Sequence, residues 1–434
     1  MAVTLVANAA TLGLTVLTGV LTARLLEPDG RGEVAAIVAW ASVVALVASL
    51  GSKEAVTYVQ ARRPEEAPEI LTTFMLWVAG LAVVGVAISE LLLPLGFASQ
   101  SQEVVQLARV FLLMTIPWMV WEGLVGVLNG HQFFVVASCV RVAQLTIMGG
   151  ALVVLWQLDR VTVTTVLATH VISHVSILAF LLLFLARRVG FGGFSPDIAR
   201  SILHFGSRSH LGTLGSVGNA RLDVFVMPMI LAPREIGLYA VAVSGASIII
   251  PLFGELRAVL FAVASRRGDI GGMPLVETTL RFSLAGALIV AAILALAAPW
   301  LVSALYGPDF AGSVTALRLL LPGMVFWAGV SILAGGINAT GKPVRSSKAQ
   351  LIGLAVTVIG LAVTLPTVGI VGAAITSTVA YTIVFLVLLR YISSEPAFST
   401  VRAFALGRLV QDTRSLLQWA IGGRHRRAPA NSDR

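Results

Sequence analysis

The sequence predicts an all-α integral membrane protein of about twelve transmembrane helices, arranged as two pseudo-symmetric six-helix bundles. Three observations lead there. Of the 434 residues, 57% are hydrophobic and only 12% charged, whereas a soluble domain carries about 25% charged residues. The apolar runs are continuous and match the roughly 20 residues that a spanning helix needs, about twice the length of a spanning strand. Finally, Arg109, Trp118, Gly126 and Asn129 recur 209 residues later as Arg318, Trp327, Gly335 and Asn338. The chain is therefore read as doubled, and two similar halves in a membrane commonly enclose a site between them.

Further pairs lie 205 residues apart: Gly13 and Gly218, Pro28 and Pro233, Gly32 and Gly237, Pro94 and Pro299. The change of offset puts four extra residues near 305–313. Gly, Pro and charge clusters divide the apolar sequence into spans at 2–25, 34–59, 69–94, 104–128, 132–156 and 161–186. The second half follows with 203–231, 236–262, 276–301, 313–338, 348–367 and 370–392. Met1–Ala10 has no basic leader, and its apolar run is too long for a cleaved signal, so it reads as part of the first span. Its abrupt start leaves room for a few residues upstream.

Loop charges orient the spans. Even-numbered junctions carry Arg62, Arg63, Arg187, Arg188, Arg200, Arg266, Arg267, Lys342, Arg345 and Lys348, whereas odd-numbered ones carry Arg31, Arg160 and Arg234, with Arg24 nearby. Positive residues stay inside, so both termini are expected in the cytoplasm of a multi-pass cell-membrane protein. With six spans per repeat, the halves enter the membrane in the same sense. The expected organisation is an N-terminal lobe over 1–190, a linker over 191–202, a C-terminal lobe over 203–393 and a basic tail over 394–434. An interfacial helix and a disordered segment both fit the tail.

Ionisable groups at membrane depth face a cavity or a partner. The cations are Lys53, Arg141, Arg208, Arg221 and Arg257, against Glu54, Glu122, Asp223 and Glu255. Arginine suits phosphate because its planar fork donates bidentate, charge-assisted bonds and stays protonated. The alternatives are local pairing, as in Arg221 with Asp223 or Glu255 with Arg257, and snorkelling, above all for Lys53 and Arg208. Thr4, Asn8, Thr11, Thr15 and Thr18 form one stripe that either lines a passage or bonds a neighbouring helix. His170 and His174 share a helix face as a proton-sensitive pair, half a metal site or a satisfied polar face. Pro117 and Pro322 lie within spans and predict bends.

Several classes fall away. The net charge of +9 is dispersed over short loops and a tail, which reads as topology and not as nucleic-acid binding. The single Cys139 excludes an intrachain disulfide and is expected as a small core residue. No metal site, cofactor or nucleophile motif is expected. Glu27 and Asp29 make an acid-x-acid pattern, but their short loop suits a turn better than a glycosyltransferase site.

Leu25-Leu26-Glu27-Pro28-Asp29-Gly30-Arg31-Gly32, Asp223 followed by Ile236-Gly237-Leu238-Tyr239-Ala240, Leu305-Tyr306-Gly307-Pro308-Asp309-Phe310 and Val368-Gly369-Ile370-Val371-Gly372-Ala373-Ala374 resemble the Wzx-like polysaccharide flippases. These belong to the multidrug, oligosaccharidyl-lipid and polysaccharide (MOP) exporter superfamily. The resemblance extends to about Arg390. It implies a V-shaped pair of bundles with a central cavity bordered by spans 1 and 7, moving polyprenyl-diphosphate-linked oligosaccharide to the outer leaflet. Two spans typical of the related peptidoglycan-precursor flippases are absent, and the tail is short. The partners implied are an anionic lipid-linked glycan, membrane lipids, and a polymerase and glycosyltransferases of polysaccharide synthesis.

The expected activity is thus transport by alternating access, with proton and sodium coupling both left open and Arg221 and Arg208 leading the phosphate-binding candidates. Arg141, Lys53, Arg257, Asp223, Glu122, Glu255 and Asn8 complete the cavity set. An ion-coupled exporter of amphipathic cations is the alternative and would want a more acidic interior. A membrane-embedded glycosyltransferase would need a longer acidic outer loop.

Overall fold

The computed structural model describes residues 2–395, 398–405 and 407, with side chains from residue 6 onward and without those of 254–271. Every regular element among the described residues is helical. The first half contains α1 (Ala2–Ala48), α2 (Ser52–Arg62), α3 (Ala67–Gly96), α4 (Gln102–Leu112), α5 (Thr115–Gly130), α6 (Phe134–Gln157) and α7 (Val163–Arg188). The second contains α8 (Pro196–Val226), α9 (Pro233–Ala246), α10 (Ile249–Tyr306), α11 (Ser313–Ala339), α12 (Pro343–Ser393) and the short α13 (Thr400–Ala403).

Nine helices among the described residues are long and apolar enough to cross a membrane. Two of them, 6–48 and 343–393, are each at least twice the ~30 Å of a bilayer core at about 1.5 Å per residue. Both are pairs of helices joined at a kink. In α1 the kink is Glu27, at φ 58°, where the following Pro28 disfavours helical geometry. In α12 it is Gly369, at φ 61°, which glycine adopts without steric cost. The α12 arms fold back on each other, because Lys342 Nζ and Arg345 Nη1 reach the Glu395 carboxylate at 2.7 and 2.9 Å.

Several element boundaries differ from the sequence reading. The span expected at 104–128 is broken at Leu113–Met114. Pro117 follows four residues after Leu113 and lacks the N–H that the Leu113 carbonyl would accept. Pro322, by contrast, lies inside an unbroken α11. Helix α10 continues through 263–275, where a loop is expected, and α8 begins inside the expected linker. Cys139 is exposed on α6 and not in the core; in an apolar span its small thiol is compatible with lipid.

The hydrophobic core of the described residues has three parts. One joins both halves through residues such as Val34, Trp40 and Phe97 with Tyr239, Ala298 and Leu317. A second holds the first half together and includes Ile198 and Ile202 from the start of α8. The third packs Met273, Leu280, Ile332, Phe385 and Phe398 of the second half. Between helices in lipid, close packing replaces water exclusion as the main gain, which favours small residues at crossings.

Helices α1 and α9 cross with their backbones in close approach. A Cβ at Gly32 would overlap the Pro233 carbonyl, and one at Gly237 would overlap the Pro28 carbonyl. These four residues are two of the pairs that stand 205 apart, so the crossing maps onto itself when the repeats are exchanged. That reciprocity is the mark of a two-fold contact.

Candidate functional site

Helix α8 belongs to both halves. Near its start, Ile198 and Ile202 are buried against the first half, and Gly206 meets the backbone of Leu50 and Gly51. That approach uses the break between α1 and α2, where Leu50 and Gly51 take φ of 46° and 69°. Arg63 at the end of α2 bonds Asp197 at 2.9 Å, which holds its guanidinium above the ordinary value. Further along, Gly215 and Gly218 lie against Gln350 and Leu354 of α12.

The remaining face of α8 is polar. Arg200, His204, Arg208 and Arg221 are all exposed, and at about 100° per residue they fall on one side of the helix. Although α8 has 31 residues, it is not among the helices apolar enough to cross a membrane by composition. Three guanidiniums on one helix face are costly against hydrocarbon and call for a wet surface.

The other candidates separate into distinct environments. Lys53 of α2 and Glu122 of α5 form an ion pair with about one third of each side chain exposed. Arg141 is exposed on α6, Glu54 is exposed on α2, and Asn8 is half-buried on α1. The side chains of Glu255 and Arg257 lie outside the described residues. Thr11, Thr15 and Thr18 neither bond a neighbouring helix nor extend their hydroxyls freely: each donates to a carbonyl one turn back in α1 at 2.8 Å. His174 Nδ1 lies 2.8 Å from the His170 carbonyl, and its ring packs against Trp118 and Trp121. No group of three or more metal-ligating side chains occurs among the described residues.

Asp223 is not ion-paired with Arg221 and does not share its exposed face; only 3% of it is accessible. Tyr239 Oη donates to its carboxylate at 2.6 Å, the Val224 N–H at 2.8 Å and Ser377 Oγ at 3.4 Å. One turn earlier, Asn219 donates to the Gln350 carbonyl at 2.9 Å and accepts from Thr357 at 3.0 Å, while its own carbonyl accepts from Tyr381 at 3.1 Å. Helices α8, α9 and both arms of α12 thus meet at a buried polar network whose carboxylate has neutral hydrogen-bond donors among the described residues. Sequence reasoning identified Asp223 but none of its partners.

At the kinked ends of the helices, two further contacts join the halves. Arg24 donates from Nε to the Leu305 carbonyl at 2.6 Å and from Nη2 to that of Ala304. Ser99 Oγ donates to the Pro228 carbonyl at 2.7 Å, and Gln100 Nε2 to that of Leu231 at 2.8 Å. Residues 99 and 100 are the 205-offset counterparts of 304 and 305. The arms therefore flank the Gly32–Gly237 crossing symmetrically, with different chemistry on each side.

Residues 21–315 match the polysaccharide biosynthesis protein family, a stretch that includes both closing arms, the α1–α9 crossing and α8. The chain belongs to this family. Among solved structures, the chain is similar to the lipid II flippase MurJ in an inward closed conformation, with a TM-score of 0.78 at 14% identity, covering 100% of this chain and 94% of that one. It is also similar to an inward-facing multidrug resistance MATE family transporter of the MOP superfamily, with a TM-score of 0.71 at 19% identity over 90% and 96% of the two chains. A curated relative, an uncharacterized membrane protein of Methanocaldococcus jannaschii, is 26% identical over 198 residues, which span 44% of this chain and 39% of that protein. The fold is thus the one these two solved structures share, in a multi-pass membrane protein.

Proposed function

We propose that this member of the polysaccharide biosynthesis protein family is a flippase that carries polyprenyl-diphosphate-linked oligosaccharide from the cytoplasmic to the outer leaflet by alternating access. The observation that carries the reading is the exposed basic face of α8, on a helix that packs against both halves. Counting the arms of α1 and α12 separately, and α8 as a span, gives twelve crossings with both termini cytoplasmic. The lobes are 1–190 and 203–393, joined through 191–202, with a tail over 394–434. The basic helix ends then face the cytoplasm and the kinked ends face outward, held closed by the Gly32–Gly237 crossing.

Arg208 and Arg221 offer fixed cations to the diphosphate, and Arg141 is a further candidate. In this state Lys53 is held by Glu122. The lipid tail stays in the bilayer while the glycan occupies the wet space, and the halves rock about the crossing. Asp223 suits a different task. A buried carboxylate with neutral partners requires a proton or a cation to balance it, so Asp223 is proposed to couple transport to an ion gradient.

The test is transfer of lipid-linked oligosaccharide in reconstituted vesicles. Arg208→Ala and Arg221→Ala are expected to slow transfer at least tenfold while leaving the amount of folded protein unchanged. Undiminished transfer in both variants sinks the cargo assignment. Faster export of amphipathic cations than of lipid-linked glycan would favour the ion-coupled drug exporter instead.

A further inference from the structure

The C-terminal segment after α12 builds a second site, away from the face of α8. Ser399 N–H and Arg402 donate to the buried Glu277 carboxylate of α10 at 2.6 and 3.1 Å. Arg281 donates in turn to the Arg402 carbonyl. Phe398 and Ala403 are buried in the core of the second half. These contacts hold Thr400 opposite the end of α12, and between them lies a cavity of about 590 Å³ whose lining includes Arg345, Leu386, Arg390, Tyr391, Ser394 and Thr400.

Charge and position together select an occupant. Lys342, Arg345 and Arg390 stand against one carboxylate, Glu395, which already accepts from Lys342 and Arg345. Arg390 is exposed and has no ion-pair partner among the described residues. It also ends an exposed apolar stripe, Ile375, Val379 and Leu386, whose spacing keeps all four residues on one face of the helix. From 375 to 390 that stripe runs about 22 Å, enough to lie beside the acyl chains of one leaflet.

We propose that this cavity binds the phosphate of an anionic phospholipid, with Arg390 and Arg345 on the phosphate, the Thr400 hydroxyl on its oxygens, and the acyl chains along the Leu386 stripe. An anionic headgroup is favoured over a zwitterionic one because the latter adds an ammonium to a cluster that already has excess positive charge. The site depends only on the membrane setting of the fold and not on the identity of the cargo.

Native mass spectrometry of the full chain in detergent, titrated with phosphatidylglycerol, phosphatidylcholine or inorganic phosphate, tests this. Phosphatidylglycerol is expected to bind in preference to phosphatidylcholine. Arg390→Gln, which breaks no hydrogen bond or ion pair among the described residues, should weaken it about fivefold, and Arg345→Gln with Arg390→Gln about thirtyfold. Arg187→Gln, at an exposed basic position elsewhere on the same end of the protein, should leave binding unchanged. Wild-type affinity in Arg390→Gln, an equal loss in Arg187→Gln, or displacement of the lipid by millimolar phosphate would each overturn the proposal.

Discussion

Asp29 and Arg234 occupy equivalent positions in the two repeats, 205 residues apart, and face each other with Arg234 Nη1 3.5 Å from Asp29 Oδ2. An exact duplicate would set like charges together here. Divergence has made the pair complementary at the same crossing where Gly32 and Gly237 bring the backbones into contact. Both side chains are more than half exposed, so the pair is worth about 0.2–1 kcal/mol and is screened by salt.

Charge reversal should reveal this. Asp29→Arg and Arg234→Asp are each expected to lower thermal stability slightly at low salt, by no more than about 1 kcal/mol. The double reversal should recover most of the loss. If the double variant is no better than the sum of the single ones, the two groups do not interact.

The flanking arms are chemically unequal, and their failures should be local. Removing Arg24 takes the side-chain donors from the carbonyls at the end of α10, whereas removing the Ser99 hydroxyl takes one donor from those of Pro228 and Leu231, which keep the Gln100 amide. Each loss is expected to cost about 1–2 kcal/mol. Hydrogen exchange reads it out: Arg24→Ala should speed exchange around 301–307 and Ser99→Ala around 227–232, each leaving the other arm protected. Unchanged exchange in both segments would mean the arms do not hold the ends together.

Much of this arrangement is legible in the sequence, because apolar run length and local turn chemistry act over a few residues. Glu27-Pro28 marks a turn and becomes the α1 kink; the short gap between spans 11 and 12 becomes the hinge at Gly369. The pairing of Asp29 with Arg234 also follows the 205-residue offset of Pro28 and Pro233, once that offset is read as a contact and not only as a duplication. Other features arise from tertiary choice. The partners of Asn219 lie 131 to 162 residues away, on helices whose polar residues look unremarkable in isolation. Glu277 and Arg281 stand one turn apart at the start of a predicted span, yet nothing local indicates that Arg402 returns to cover them.

The Lys53–Glu122 pair makes a prediction that separates structure from function. Its partial exposure limits its worth to roughly 1 kcal/mol, so Glu122→Gln should barely change thermal stability. If Lys53 is a cation held in reserve for the cargo phosphate, Glu122→Gln should bind lipid-linked diphosphate more tightly, by up to about fivefold. Lys53→Met should bind it more weakly. Equal affinities in all three proteins would leave the pair as an interhelical tie.

Asp223 offers the sharpest division between a packing role and a coupling role. Tyr239→Phe removes one hydrogen bond from a carboxylate that keeps those from Val224 and Ser377, and should cost about 1–2 kcal/mol. Asp223→Asn keeps the size of the side chain and removes its charge, together with the need for a compensating proton or cation. A purely structural carboxyl predicts that the asparagine variant loses stability and transports in proportion to the folded protein remaining. A coupling carboxyl predicts instead that folded Asp223→Asn still binds cargo, while transport no longer responds to an imposed proton or sodium gradient. Vesicles with either gradient applied separately, compared with vesicles without one, distinguish the two. A gradient response that persists undiminished in Asp223→Asn would move the coupling site elsewhere.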